Sequence, residues 1–109
     1  MKRLLSAVAL LGVAGMVFAL STFNKTFNDN YKVKPDSKLG KLACMVCHTG
    51  AHGGKLNAYG VDVKAAMKTA NVHKVTNDVL KAVEGLDSDK DGMKNGEEIK
   101  KDRNPGAAD

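Results

Sequence analysis

Cys44-Met45-Val46-Cys47-His48 is the stretch on which the reading of this 109-residue chain turns. Its two cysteines are the chain's full complement, separated by two residues and followed at once by a histidine, so one account has to use all three side chains. A thioredoxin-like redox pair would sit in a βαβ setting, and no alternating strand pattern flanks this stretch. A zinc site drawn from Cys44, Cys47, His48 and His52 would crowd four ligands into nine residues, whereas structural zinc usually takes two separated pairs. A Cys44–Cys47 disulfide would close a very short loop and leave His48 without a role. C-x-x-C-H is instead the attachment signature of a c-type haem. Both thiols reach the vinyl groups of one porphyrin as thioethers, and His48 is held under the iron as the proximal axial ligand.

Toward the N-terminus, Lys2 and Arg3 form a charged start, residues 4–20 are almost entirely apolar, and Val17-Phe18-Ala19 occupies the positions a signal peptidase reads. The pattern predicts a signal peptide over residues 1–19, removed after Ala19, with an uncleaved anchor as the alternative. Once cleaved, the chain has no membrane contact and is periplasmic or secreted. Export agrees with haem attachment, which takes place on the far side of the bacterial membrane. Residues 20–109 then make a single small domain whose apolar core alone is marginal. A covalent haem and a structural metal are the staples such a domain needs.

Formal net charge is +5, from 17 Lys and Arg against 12 Asp and Glu. Its distribution is uneven: residues 20–74 carry nine Lys against three Asp, while residues 75–109 carry six Lys or Arg against nine Asp or Glu. A basic surface near a redox centre steers docking onto redox partner proteins with acidic surfaces; otherwise scattered lysines serve only solubility. Nucleic acid is not an expected partner, because the chain is exported and its basic residues are not interleaved with stacking aromatics.

The remaining pattern is mainly α. Phe23, Phe27 and Tyr31, spaced four apart, form one face of a short helix or an extended arm lying across the haem edge. Ser37 caps a helix through Lys38, Leu39, Leu42 and Ala43 into the cysteine stretch. Residues 49–55, with three glycines, read as a loop. Residues 56–70 carry a helical stripe of Leu56, Tyr59, Val63, Met67 and Ala70, with Gly60 allowing close approach. Leu42, Leu56 and Tyr59 are the candidates for packing on the porphyrin. After a connector containing His73, residues 76–85 form a further helix with Val79, Leu80, Val83 and Leu86 as its apolar face.

Residues 87–98 fit D-x-[DN]-x-[DN]-G-x5-E throughout. Asp87, Asp89 and Asp91 supply oxygens, Gly92 permits the sharp turn, the Met93 backbone carbonyl follows, Asn95 acts directly or through water, and Glu98 closes bidentately on calcium. Five acidic side chains in twelve residues repel one another without a cation; the alternative is an empty solvated turn. Lys94 stands where a paired EF-hand carries an aliphatic residue, so the site is a lone one, followed by a brief helix over residues 97–102 that Asn104-Pro105-Gly106 stops. The loop resembles the single calcium loops of dockerins and thrombospondin type 3 repeats. That resemblance implies a structural clamp binding weakly, at about 10⁻⁴ to 10⁻³ M.

The second axial ligand is open among His73, Met67, His52, Met93 and an unfilled position, with His73 leading and Met67 as its alternative. Met45, between the thioethers, is excluded by geometry. His52 would have to carry the chain around the porphyrin edge with three intervening residues, barely within extended reach. With Cys44 to His48, Leu56-Asn57-Ala58-Tyr59-Gly60 and the 86–99 segment together, the chain resembles small bacterial periplasmic monohaem cytochromes over about residues 35–107. The resemblance implies a small cytochrome c-like helical domain around one covalent haem, followed by a helix, calcium loop and short helix. It also implies electron transfer and no enzymatic activity. One departure from class I cytochromes is that no methionine sits in a clear late loop after the haem helix. A five-coordinate haem protein binding a gas or peroxide, and a calcium-dependent interaction module, are the alternatives.

Overall fold

The computed structural model describes residues 22–108, so the expected signal peptide and its cleavage point lie outside the described residues. Residues 22–31 are helical (α1), which selects the helix over the extended arm for the aromatic segment. Phe27 on this helix is buried. Its ring meets Tyr31 at 5.1 Å between centroids and Tyr59 at 6.1 Å in an edge-on arrangement, both favourable for aromatic quadrupoles.

A second helix, α2 (Lys38–Leu42), begins where expected because the Ser37 hydroxyl accepts from Gly40 N at 3.1 Å, satisfying one of the amides that a helix start leaves free. It ends at Ala43, whose φ of 49° leaves the helical region, and the chain tightens into a 3-10 turn, Ala43–Val46. Next comes the main departure from the sequence pattern. The segment read as loop is an antiparallel hairpin, β1 (His48–Gly50) with β2 (Gly53–Leu56), His48 opposite Leu56. Gly53 and Gly54 have φ of +105° and +87°, values that glycine adopts without penalty.

Because Leu56 belongs to β2, the following helix α3 (Ala58–Thr69) starts later than the apolar stripe suggests, at the Asn57 cap. Helix α4 (Asn77–Val83) is capped by Thr76, whose hydroxyl accepts from Val79 N at 3.2 Å. The last helix, α5 (Asn95–Lys100), opens two residues before the expected Glu97. Helices α3 and α4 pack on each other. Tyr59 and Val63 of α3, Val79, Leu80 and Val83 of α4, and Ile99 of α5 share one core with Phe27, Leu39 and Val46. Leu86, expected on the apolar face of α4, lies beyond its end and is 45% exposed. The architecture is thus mainly helical with one small two-stranded sheet. Among the described residues no helix is long and apolar enough to cross a membrane.

Phe27 ties α1 to this core through a ring that is 3% exposed. Phe27→Ala is expected to lower the unfolding free energy by about 3–5 kcal/mol, as read from urea unfolding followed by circular dichroism.

Candidate metal centres

The 3-10 turn and the hairpin place the cysteine stretch beside a void. A cavity of about 340 Å³ is bounded on one side by Cys44, Cys47 and His48, within the size range of small-molecule and cofactor pockets. Phe23 and Phe27 of α1, Val63 and Met67 of α3, Val75 just before the cap of α4 and Leu80 within it form apolar walls. Leu56 also lines it, whereas Tyr59 lies fully buried in the core behind.

Within this setting the hairpin orients His48. Its Nδ1 lies 2.8 Å from the Gly54 carbonyl oxygen. A carbonyl can only accept, so Nδ1 carries the proton and Nε2 keeps its lone pair free for a metal, the usual arrangement for a ligating imidazole. Cys44 and Cys47 are both free thiols. Burial, with a smaller contribution from Cys44, pushes the Cys47 thiol up to about 11. That is the direction opposite to the depressed value of a thiol-exchange cysteine.

The candidates for a second axial ligand are separated by position. Met67 is half-buried and lines the cavity. His52 also lines it, from the exposed turn of the hairpin. His73 is exposed in the turn after α3 and is not among the cavity-lining residues. Met93 lies in the acidic loop, its sulfur 4.0 Å from an Arg103 side-chain nitrogen.

The second centre is that loop. Asp87, Asp89, Asp91 and Glu98 each offer a carboxylate oxygen, and these oxygens lie within 4.8 Å of one another, a cluster that could hold a metal ion and is compatible with calcium. The loop is shaped by its own carboxylates. Asp87 accepts from Asp91 N at 3.2 Å and Gly92 N at 2.9 Å, and Asp91 accepts from Met93 N at 3.0 Å. Gly92, at φ +91°, supplies the turn that the pattern requires. Glu98 is 1% exposed, and its Oε1 has no hydrogen-bond partner; Asp89 Oδ2 is likewise unpartnered. Burial, then the charges of Asp89 and Asp91, push Glu98 up to about 7, with Arg103 opposing them. Asp89 is raised too, first by burial and then by Asp91. A buried, unpaired carboxylate among other carboxylates is stabilised by a cation.

Asn95 departs from the role that the spacing assigns. Its side chain is fully buried and donates to the Val83 carbonyl at 2.9 Å and to Ser88 Oγ at 2.7 Å, while its oxygen accepts from Ser88 N at 3.2 Å. It fastens the loop to the end of α4, since a buried amide must find partners where the chain packs. Ser88 Oγ in turn donates to Asp62 Oδ2 at 2.6 Å, tying the loop to α3. Two further residues have roles that the sequence does not assign, Asn57, which it marks only within the 56–60 segment, and Asp102; their contacts join the two centres. For Asn57 the available signal is a capping residue directly before a helical stripe; for Asp102 there is none, because its partners are more than 60 residues away.

No family model, curated protein or solved structure matches this chain.

Metal-free protein should show the Glu98 perturbation as a pH dependence. The unfolded chain releases this proton near the ordinary 4.5, whereas the fold retains it to about 7. Between those values the unfolded state binds fewer protons, so stability falls as pH rises. Thermal melts in chelator should decline across that window, saturating calcium should abolish the decline, and Glu98→Gln should flatten the chelator profile.

Proposed function

We propose that this chain is an exported electron-transfer protein carrying one covalent haem c and one structural calcium ion. The observation that carries the reading is that Cys44, Cys47 and His48 border one apolar cavity, with the His48 ring held by the Gly54 carbonyl and Nε2 left free. Haem, when bound, supplies one-electron exchange between Fe(II) and Fe(III). Cys44 and Cys47 would anchor it through thioethers, and His48 would supply Nε2 as an iron ligand. Phe27, Val63 and Leu80 give that site apolar walls, and of the candidate second ligands Met67 and His52 line the cavity, Met67 being the less exposed. His73, which the sequence favours, is exposed and does not line the cavity.

The basic half of the chain includes Lys64, which lines the cavity and is exposed. Such charge at the cavity suits a redox partner with an acidic surface, and it acts through encounter rate more than through affinity. At the acidic loop, Asp87, Asp89, Asp91 and Glu98 hold calcium as a clamp, with Gly92 and the Met93 carbonyl completing the turn. The expected affinity is that of extracellular modules, about 10⁻⁴ to 10⁻³ M. Neither substrate turnover nor nucleic-acid binding forms part of this reading.

Expression with haem-attachment machinery should add the mass of one haem that acid–acetone does not extract, and Cys44→Ser or Cys47→Ser should remove a thioether. The purified protein should be low-spin in both oxidation states. Met67→Ala should convert it to high-spin and open it to carbon monoxide, while His73→Ala should leave the spectrum unchanged. A wild-type protein that is high-spin and binds carbon monoxide at once would replace the carrier by a gas-binding protein.

A further inference from the structure

Asn57 does more than cap α3. Its backbone N–H donates to the Cys47 carbonyl at 2.8 Å. Its side-chain amide donates to the Met45 and Val46 carbonyls at 3.1 and 2.9 Å, and its side-chain oxygen accepts from Gly60 N at 2.8 Å. One residue, 8% exposed, therefore holds three consecutive carbonyls of the turn that carries both cysteines. It is also the joint between that turn and α3. The turn leads within two residues into His48, and α3 carries Met67, so the two proposed iron ligands follow or lie on the elements that Asn57 joins.

Asn57 is covered in turn by the C-terminal tail. Gly106 packs against its side chain so closely that a Cβ at 106 would overlap the amide, and Pro105 beside it is buried. The tail is set by α5: Arg103 N donates to the Glu98 carbonyl at 2.8 Å and Asp102 N to the Ile99 carbonyl at 3.1 Å. The Asp102 carboxylate accepts from Lys38 N and Leu39 N, both at 2.9 Å, at the start of the helix that leads into Cys44. Glu98, which opens this path, is the buried carboxylate of the acidic cluster, with one oxygen unpartnered.

We propose that Asn57 is a positioning residue for the haem, fixing the attachment turn against α3, and that a cation bound at Glu98 keeps the tail seated on Asn57. The proposal rests on the haem and calcium reading above. Without the side-chain amide, the Met45 and Val46 carbonyls lose their partner, only the backbone bond to the Cys47 carbonyl remains, and the turn and α3 can shift against each other. Without the cation, mutual repulsion among Glu98, Asp89 and Asp91 loosens α5 and with it the tail.

The test uses the holoprotein, its covalent haem first verified by mass. A chain that takes no covalent haem would overturn the haem reading itself and this proposal with it. Reduction potential, high-spin fraction and melting temperature are then measured for wild type, Asn57→Asp and Gly106→Ala, each with saturating calcium and with chelator. Asn57→Asp removes the two side-chain donors, and Gly106→Ala displaces Asn57 without changing it. The expected result is that chelation shifts the wild-type potential and raises its high-spin fraction. Each variant should show such a shift with calcium present, and chelation should then add less than half of the wild-type change, the non-additivity of coupled sites. A wild-type potential indifferent to chelation would overturn the proposal without needing any variant to fold. So would a full chelation shift in Asn57→Asp, or a variant that lowers only the melting temperature and keeps the wild-type potential.

Discussion

The closeness of α3 to the Cys47 carbonyl is the constraint on which the rest of this structure depends. Asn57 N donates to that oxygen, and one helical turn on, Gly60 passes it so tightly that any side chain would collide. This contact brings the walls supplied by α3 over the cysteine turn and leaves a cavity where the core would otherwise close. Interiors of proteins are normally packed without such voids, and their lining atoms lose dispersion contacts wherever one remains. A small domain has little stability to lose in this way. An apolar cavity bordered by two free thiols and an oriented imidazole is therefore a feature that a guest would stabilise, which is the physical content of the haem reading.

The acidic loop presents the complementary case, an excess of charge in place of an absence of atoms. Glu98 is buried beside Asp89 and Asp91, and its raised proton affinity expresses first that burial and then the repulsion of the two neighbouring carboxylates. A buried carboxylate is held by a proton, a cation or a hydrogen-bond donor, and Oε1 has no donor. The two sites are thus opposite in character, one an apolar cavity and one a cluster of carboxylates. They share a framework, because α3 touches the loop through Asp62 and Ser88 while the loop's outgoing helix reaches α2 through Asp102.

Features written in local spacing were legible before the fold was known. The cysteine stretch, the aspartate spacing, the Ser37 cap and the stripe around Tyr59 and Val63 each depend on residues within a few positions of one another. What was not legible depends on distant partners. The hairpin has no alternating pattern, because its three glycines and short strands are held by pairing and by left-handed turns at Gly53 and Gly54. Asn95 matches a ligand position by spacing, yet packing against Val83 and Ser88 takes up its amide. Leu86 continues the stripe of α4, but the helix stops at Val83 and Leu86 meets solvent. The exposure of His73 and the proximity of Met67 to the cavity follow from how α3 lies on the turn, which spacing alone does not encode.

The charge asymmetry also changes meaning once the fold is known. Counted along the chain, the C-terminal half is acidic, but most of those carboxylates face partners within the protein. Four form the cluster, Glu84 accepts from the Tyr31 hydroxyl at 2.9 Å, and Asp102 caps α2. The Asp102 carboxyl is held below its ordinary value by the Leu39 and Lys38 amides, so it stays ionised in that role. A divalent cation in the cluster would neutralise about half of its charge. The lysines of the N-terminal half have few such commitments: Lys41, Lys55, Lys64 and Lys68 are all exposed, and Lys64 borders the cavity. Lys64 is the one formally charged side chain among the residues lining the cavity, so the charge nearest to it is positive and would attract an acidic surface. Attraction of this kind is screened within about 10 Å at 0.1 M salt, so it would act only on a partner already near the cavity, which is where the proposed electron exchange would need it.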